Sequence, residues 1–493
     1  MIRKIKEDLH LETIQKWEWI FLIGVVLILA SLYLYEDITV TSAKGFTVWS
    51  CLFEGKLNSF YNYLYPGVEN SYIPNGVSSG AYDFCIYIIF ALYNFPMWVW
   101  EKFTGYSVFM FFPTRLYVKG IVWLFTAISG YVLHKIALCC GVNRNSAKWC
   151  VFLFLSSGFF FYSEVVIGGY DIISVSFTLL GIYGFLVKNH KCFLISFAIA
   201  IASKLFALWI FIPLLLLREK RIRYLFLNIL GAVSLIVIPK LYFAVSNGQS
   251  AAEVLPAESG GASIIAHSNL VNEFLFPQAE FRQALIKLHD MPLIFVGMFI
   301  IWILCYFCNR ELSCKQIIYL CTVVMSVFVL TSKIHPYWII LLTPYIILTM
   351  SFDLHDFDKN AILEILMAFG YVCRMSILWP SCSNLNLIYY MLQPDELLSD
   401  KGIGAGHRYG LNVVLDKLSE MSGISLENIS SLFGALFVAA LLVFLYQNFP
   451  KEKEDSTEID YSKVRLYTYL RIVVSVCIGL LPVGGYIIWK IKG

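Results

Sequence analysis

The sequence predicts an all-α, polytopic membrane helix bundle of about 11 to 13 transmembrane segments, with interfacial helices on its outer face. Three observations carry this expectation. Hydrophobic residues make up 59% of the chain's 493 and charged residues only 14%, and the mean hydropathy is +0.71, far from a soluble domain. Apolar runs long enough to span a bilayer recur along the chain. Lys and Arg collect in the short turns between alternate runs, as they do on the cytoplasmic side of membrane proteins.

The same composition narrows the function. Aromatic residues reach 16%, with 12 Trp and 30 Tyr, which suits rings placed at two membrane interfaces. The net charge is only +3, and no Lys/Arg-rich run, RRM signature or zinc-finger spacing points to nucleic acid. The lipid bilayer is the partner the composition implies. The 13 cysteines are scattered through apolar segments apart from the doublet Cys139-Cys140, and no CxxC pair sits at metal-ligand spacing. They read as small buried residues, and the sequence gives no metal site and no cofactor.

Taken in order, the first element has a basic start, MIRKIKEDLH, and an apolar run that ends in Tyr-Glu-Asp without a small-residue cleavage site. That makes a retained signal-anchor helix over residues 17–35 with its N-terminus in the cytoplasm. Further spans are expected at 114–137, 148–167, 170–187, 224–245, 292–307, 316–331, 337–352, 362–379, 431–446 and 469–489.

Two segments need separate treatment. Residues 83–103, DFCIYIIFALYNFPMWVWEKF, are apolar enough to cross, but a crossing there would put Lys135, Arg144 and Lys148 outside. Positive-inside bookkeeping therefore makes this segment an interfacial or re-entrant helix on the outer face, a position that Pro96 and the Trp98/Trp100 pair suit. Residues 188–223 carry basic clusters at both ends and Lys204 in the middle. Two short helices folded back at Ser203-Lys204 leave both clusters on one side.

With these choices the outer loops are 36–113, 246–291 and 380–429, and the chain divides into a module at 1–350 and a C-terminal membrane region at 351–493. The cytoplasmic turns are short, so the work of the protein is expected on the outer face. The multi-pass protein is placed in the plasma membrane with an extracytoplasmic site.

Ionisable groups in membrane segments are costly and face partners or cavities. On this topology Glu36, Asp37, Glu164, Asp171, Lys204, Lys333, His335 and Arg374 all fall near the outer leaflet. Each has a plain structural reading beside the functional one. Glu36 and Asp37 could simply stop a membrane helix, and Asp171 could cap a helix after Gly168-Gly169. Lys333 and His335 could anchor an interface beside Trp338, and Arg374 could form a structural ion pair. Lys204 is harder to explain this way, because it lies too deep to snorkel to the basic side.

These residues, in this order, resemble the GT-C superfamily of integral membrane glycosyltransferases. The likeness lies in an acid directly after the first span, then GFTVWSCLFEGKLNSFY with Gly45, Trp49 and Gly55, and in the Pro-containing surface helix. It continues in GGYDIISVSFTLLGIYGFL, in IASKLFALWIFIPLLLLREKR and in SKIHPYW, and covers residues 15–350. The C-terminal third matches no motif of that family, and the loop acid is doubled as Glu36-Asp37.

The resemblance implies transfer of a sugar, with inversion, from a polyprenyl-phosphate carrier to a glycan, lipid or protein acceptor. Asp37, or Glu36 in its place, would be the general base. Lys204, Lys333, His335 and the neighbouring Tyr337 would bind the carrier phosphate, and Asp171 and Glu164 would orient sugar or acceptor. Arg115, His407 and Arg408 would be further phosphate contacts. Two other functions would also use an outer polar cluster: a transporter or flippase of a lipid-linked sugar, and a polymerase or ligase of lipid-linked glycans.

Overall fold

The computed structural model describes residues 13–33, 37–64, 82–105, 112–246, 287–288, 291–332, 334–352, 354, 356–379, 411–450 and 460–492. Helix α1 (Lys16–Ser31) begins with Glu18 accepting the backbone N–H of Gln15, and delivers the chain to Tyr33. The Tyr33 hydroxyl donates to the Gly479 carbonyl, so the end of α1 is fixed to the last of the described helices.

Next come two helices that lie side by side, α2 (Asp37–Phe53) and α3 (Phe84–Thr104), joined in part by a 3-10 turn at Leu57–Leu64. They run parallel and very close. A Cβ on Gly45 would stand 2.9 Å from the backbone of both Phe90 and Ala91, so only a glycine permits the approach. Trp49 Nε1 then donates to the Ala91 carbonyl at 2.7 Å, and Trp98 Nε1 to Ser50 Oγ at 3.3 Å. Helix α3 meets the following helix, α4 (Phe112–Cys139), at its first turns, where the Tyr93 and Tyr117 hydroxyls each donate to the other's backbone carbonyl.

Helix α5 (Arg144–Leu155) breaks at Ser156-Ser157, and the chain resumes through a turn at Gly158–Phe160 and a π-helix at Phe161–Ile167. Then follow α6 (Ile172–Leu186), α7 (His190–Ser203), α8 (Ala207–Arg218) and α9 (Ile222–Ser246). Helices α7 and α8 form the expected hairpin. Phe211 of α8 packs on Phe193 and Phe197 of α7 at 5.4 and 5.3 Å, and Arg218 lies over the Phe193 ring at 5.9 Å, so both basic flanks return to one end. Lys204 sits in the break with extended backbone.

A two-residue antiparallel pairing of Lys287–Leu288 with Met291–Pro292 precedes α10 (Leu293–Phe307) and α11 (Cys314–Thr331). After a 3-10 turn at Pro336–Leu341 come α12 (Thr343–Phe352), α13 (Phe357–Leu378), α14 (Leu411–Ser422), α15 (Leu426–Gln447) and α16 (Tyr461–Lys492). Helices α13 and α16 are fastened to the break in the α5 span. Glu364 accepts from Ser157 Oγ at 2.6 Å and from Arg471 Nε at 2.9 Å, and Arg471 also donates to Ser156 Oγ and the Leu153 carbonyl, each at 3.2 Å. One cluster of buried apolar side chains runs from Leu22 to Val483.

Among the described residues, seven helices are long and apolar enough to cross a membrane, or eight if the pair 144–155 and 158–167, bent by 41°, is one span. That is fewer than the sequence suggests. Several of the expected spans fold as shorter apolar helices, among them Ile172–Leu186, Leu293–Phe307 and Pro336–Phe352, and α1 itself has 16 residues. A straight helix needs about 20 residues to cross. By length and composition α3 is among the seven, although the sequence assigns it to the outer surface.

Candidate functional site

The site is assembled where three helices begin. Asp37 is the first residue of α2, and Asp83 and Asp171 occupy the positions just before α3 and α6. Carboxylates are favoured there because the unpaired N–H groups of a first turn make that end of a helix electropositive. The hairpin break brings Lys204 to the same place. Its ammonium stands 3.0 Å from Asp171, with the Lys204 side chain 9% exposed and the Asp171 side chain fully buried.

Aromatic rings roof this ion pair. Lys204 Nζ lies 4.4 Å from the centre of the Tyr82 ring and 5.3 Å from that of Tyr170, close enough for cation–π attraction. Tyr82 is held by the chain around it, since its neighbour Asp83 pairs with Lys240 of α9 at 3.2 Å. Tyr170 sits with its hydroxyl between Thr41, 3.4 Å away, and the Asp37 carboxylate, to which it can donate.

Each residue of GGYD has a task. Gly168 has φ +73°, and a Cβ on it would meet Lys119 Cε at 2.8 Å. A Cβ on Gly169 would meet Tyr337 Cβ at 2.9 Å, so the glycine admits the SKIHPYW segment to the site. Tyr170 reaches Asp37, and Asp171 pairs with Lys204.

No family model, curated protein or solved structure matches this chain. The site is therefore read from its own chemistry.

The electrostatics around Asp37 are specific. Burial pushes its carboxyl above the usual carboxylate range, and the repulsion of Asp171 adds to this. Lys204, Lys44 and the Tyr170 hydroxyl pull it back down by favouring the ionised form. Lys44 is pushed down to about 8 by burial, against the pull of Asp37. The result is a carboxylate whose proton affinity exceeds that of an exposed one, held among two cations and a phenol.

The structure brings together Asp37, Asp171 and Lys204, with Tyr337 beside Gly169 at their edge. His335 joins less directly. Its ring packs 4.8 Å from both Trp338 and Trp379, and Trp338 in turn meets Phe206, two residues past Lys204, at 4.4 Å. Glu164 stands on the buried side, fully enclosed in the π-helix, with Asp171 and Lys119 as its charged neighbours. Arg374 lies apart, pressed against Gly434 of α15. Glu36, Lys333, His407 and Arg408 lie outside the described residues, as does the side chain of Arg115.

Sequence reasoning missed Lys44, Tyr82, Tyr170 and Lys119. Lys44 follows Asp37 by seven residues, two turns along one face of α2, and that spacing was a usable signal. Tyr82 carried none, because its place over Lys204 depends on how α3 docks against the hairpin.

Proposed function

We propose that the protein is a membrane glycosyltransferase that moves a sugar from a polyprenyl-phosphate carrier to an acceptor hydroxyl on the extracytoplasmic face. The observation that carries this reading is the meeting of Asp37 with the Lys204–Asp171 ion pair at three converging helix N-termini. A carboxylate of raised proton affinity suits a base, and a cation among helix N-termini suits a phosphate.

In the proposed step the Asp37 carboxylate takes the proton of the acceptor hydroxyl as its oxygen attacks the anomeric carbon. The new glycosidic C–O bond forms on one face while the bond from that carbon to the carrier phosphate oxygen breaks on the other. The electron pair leaves with the phosphate, and Lys204 stabilises the growing negative charge. Asp171, once Lys204 turns to the phosphate, is free to accept hydrogen bonds from sugar hydroxyls. Tyr337 and His335 extend the phosphate side of the site.

Orientation follows from charge. The turns bearing Lys188, Arg218 and Arg310 lie at the end of the hairpin opposite Lys204, and the positive-inside rule makes that end cytoplasmic. The site then faces outward. The acceptor is a cell-envelope glycan, a lipid-linked glycan or a protein.

The test is binding. The purified protein in lipid nanodiscs is titrated with a synthetic polyprenyl-phosphate hexose, and Lys204→Met is compared with wild type. Losing one charge-assisted contact of about 1.5 to 3 kcal/mol should weaken affinity roughly 10- to 100-fold. Unchanged donor affinity in a folded Lys204→Met protein would remove the phosphate role.

A further inference from the structure

Lys119 lies in α4, is 3% exposed, and appears in none of the roles above. Its ammonium donates to three backbone carbonyls, those of Ala30 at 2.8 Å, Tyr33 at 3.1 Å and Val165 at 3.1 Å. An ammonium has three N–H donors, so all are used. Two of the carbonyls belong to the end of α1 and its exit, the third to the π-helix. Glu164, next to Val165, is its charged neighbour.

The two segments joined in this way both lead to the site. Four residues after Tyr33 the chain reaches Asp37, and six residues after Val165 it reaches Asp171. Lys119 passes between them through a gap kept open by Gly168, whose missing side chain would otherwise sit 2.8 Å from Lys119 Cε. The carbonyls of a helix end also carry negative partial charge, which a buried cation satisfies.

We infer that Lys119 is a positioning residue for the reaction, a clamp that fixes the exit of α1 onto the π-helix and so sets the Asp37 carboxylate against Asp171 and Lys204. This rests on the reading of Asp37 as the base. Lys119 touches neither substrate nor reacting atoms in this role. It acts by holding the two chain segments that present the acids.

The experiment compares wild type, Lys119→Met, Lys119→Gln and Asp37→Asn in nanodiscs, with a polyprenyl-phosphate hexose as donor. It reads kcat, donor KM, the pH–rate profile and the folded fraction by size exclusion. Lys119→Met should lower kcat about 100-fold, the scale of a misplacement near 1 Å, while donor KM, set by Lys204, stays close to wild type. The acid limb of the profile should also move to higher pH, because Asp37 drifts from Lys204, whose pull toward the ionised form outweighs the repulsion of Asp171 that is lost with it. If Lys119→Met does not fold, Lys119→Gln keeps two N–H donors and should show the same limb shift with a smaller loss of kcat. Activity that falls only in proportion to folded protein, with the acid limb unmoved, overturns the inference. The two readings fail separately. An active Asp37→Asn protein removes the base itself, whereas an inactive one beside an unmoved limb in the Lys119 variants removes the clamp alone.

Discussion

At the scale of single residues, Asp37 and Lys44 set each other's charge. Both are half or fully buried on α2, and the burial that disfavours the ionised form of each is opposed by the presence of the other. The sign of the pH dependence follows. A base works deprotonated, and Asp37 has its proton affinity raised above the ordinary carboxylate, so activity should fall on acidification at a higher pH than an exposed carboxylate would give. Lys44 lowers the Asp37 value, so Lys44→Met should raise it further and move the acid limb of kcat/KM upward. Profiles of both proteins across about pH 5 to 9 would check this. A limb that stays in place or moves down would mean that Asp37 and Lys44 do not face each other in the membrane-embedded protein. How much of this was legible in sequence depended on the residue. Asp37, Asp171 and Lys204 stood out because a charge beside or within an apolar run needs a reason. Lys119 did not, because in a list of residues it is one more lysine near the start of a span, and its three carbonyl partners come from segments 46 to 89 positions away.

At the scale of elements, the hairpin of α7 and α8 and the helix at 84–104 were readable because local rules govern them. Basic residues at both ends of one apolar stretch force a fold-back, and Asp83 marks a helix start. The break after α5 was not readable, since its cause is a partner far along the chain. Ser156 and Ser157 leave the helix to meet Arg471 and Glu364, more than 200 residues later. This network makes a distinct prediction. Removing one partner of a buried ion pair leaves an unpaired charge and costs about 3 to 5 kcal/mol, whereas replacing both by apolar residues costs much less. Glu364→Leu alone should therefore lower the thermal unfolding temperature in detergent more than the double variant Glu364→Leu/Arg471→Met. A double variant that loses as much as the two single variants combined would show that the two side chains stabilise the bundle independently.

At the scale of the whole molecule, polarity divides the bundle into two ends. The turns with Lys188, Glu311 and Arg218 gather at one, and Asp37, Asp171, Lys204 and the rings of Tyr82 and Tyr170 at the other. The sequence conveyed this division through its charge pattern, and it suggested more spans than the seven or eight helices long and apolar enough to cross among the described residues, because hydropathy measures how apolar a run is and not whether the chain keeps one helix through it. Three of the expected spans, at 170–187, 292–307 and 337–352, are apolar helices of 10 to 17 residues, which accounts for part of that difference. Short and broken helices are also what place helix ends, with their unpaired N–H groups and the acids beside them, inside the protein. The account therefore stands on one carboxylate at one such helix start. Its most direct test is transfer of a labelled sugar from polyprenyl phosphate to an acceptor by purified wild-type and Asp37→Asn protein in nanodiscs. Loss of transfer in a folded Asp37→Asn protein that still binds donor is the predicted result; transfer at the wild-type rate would contradict it.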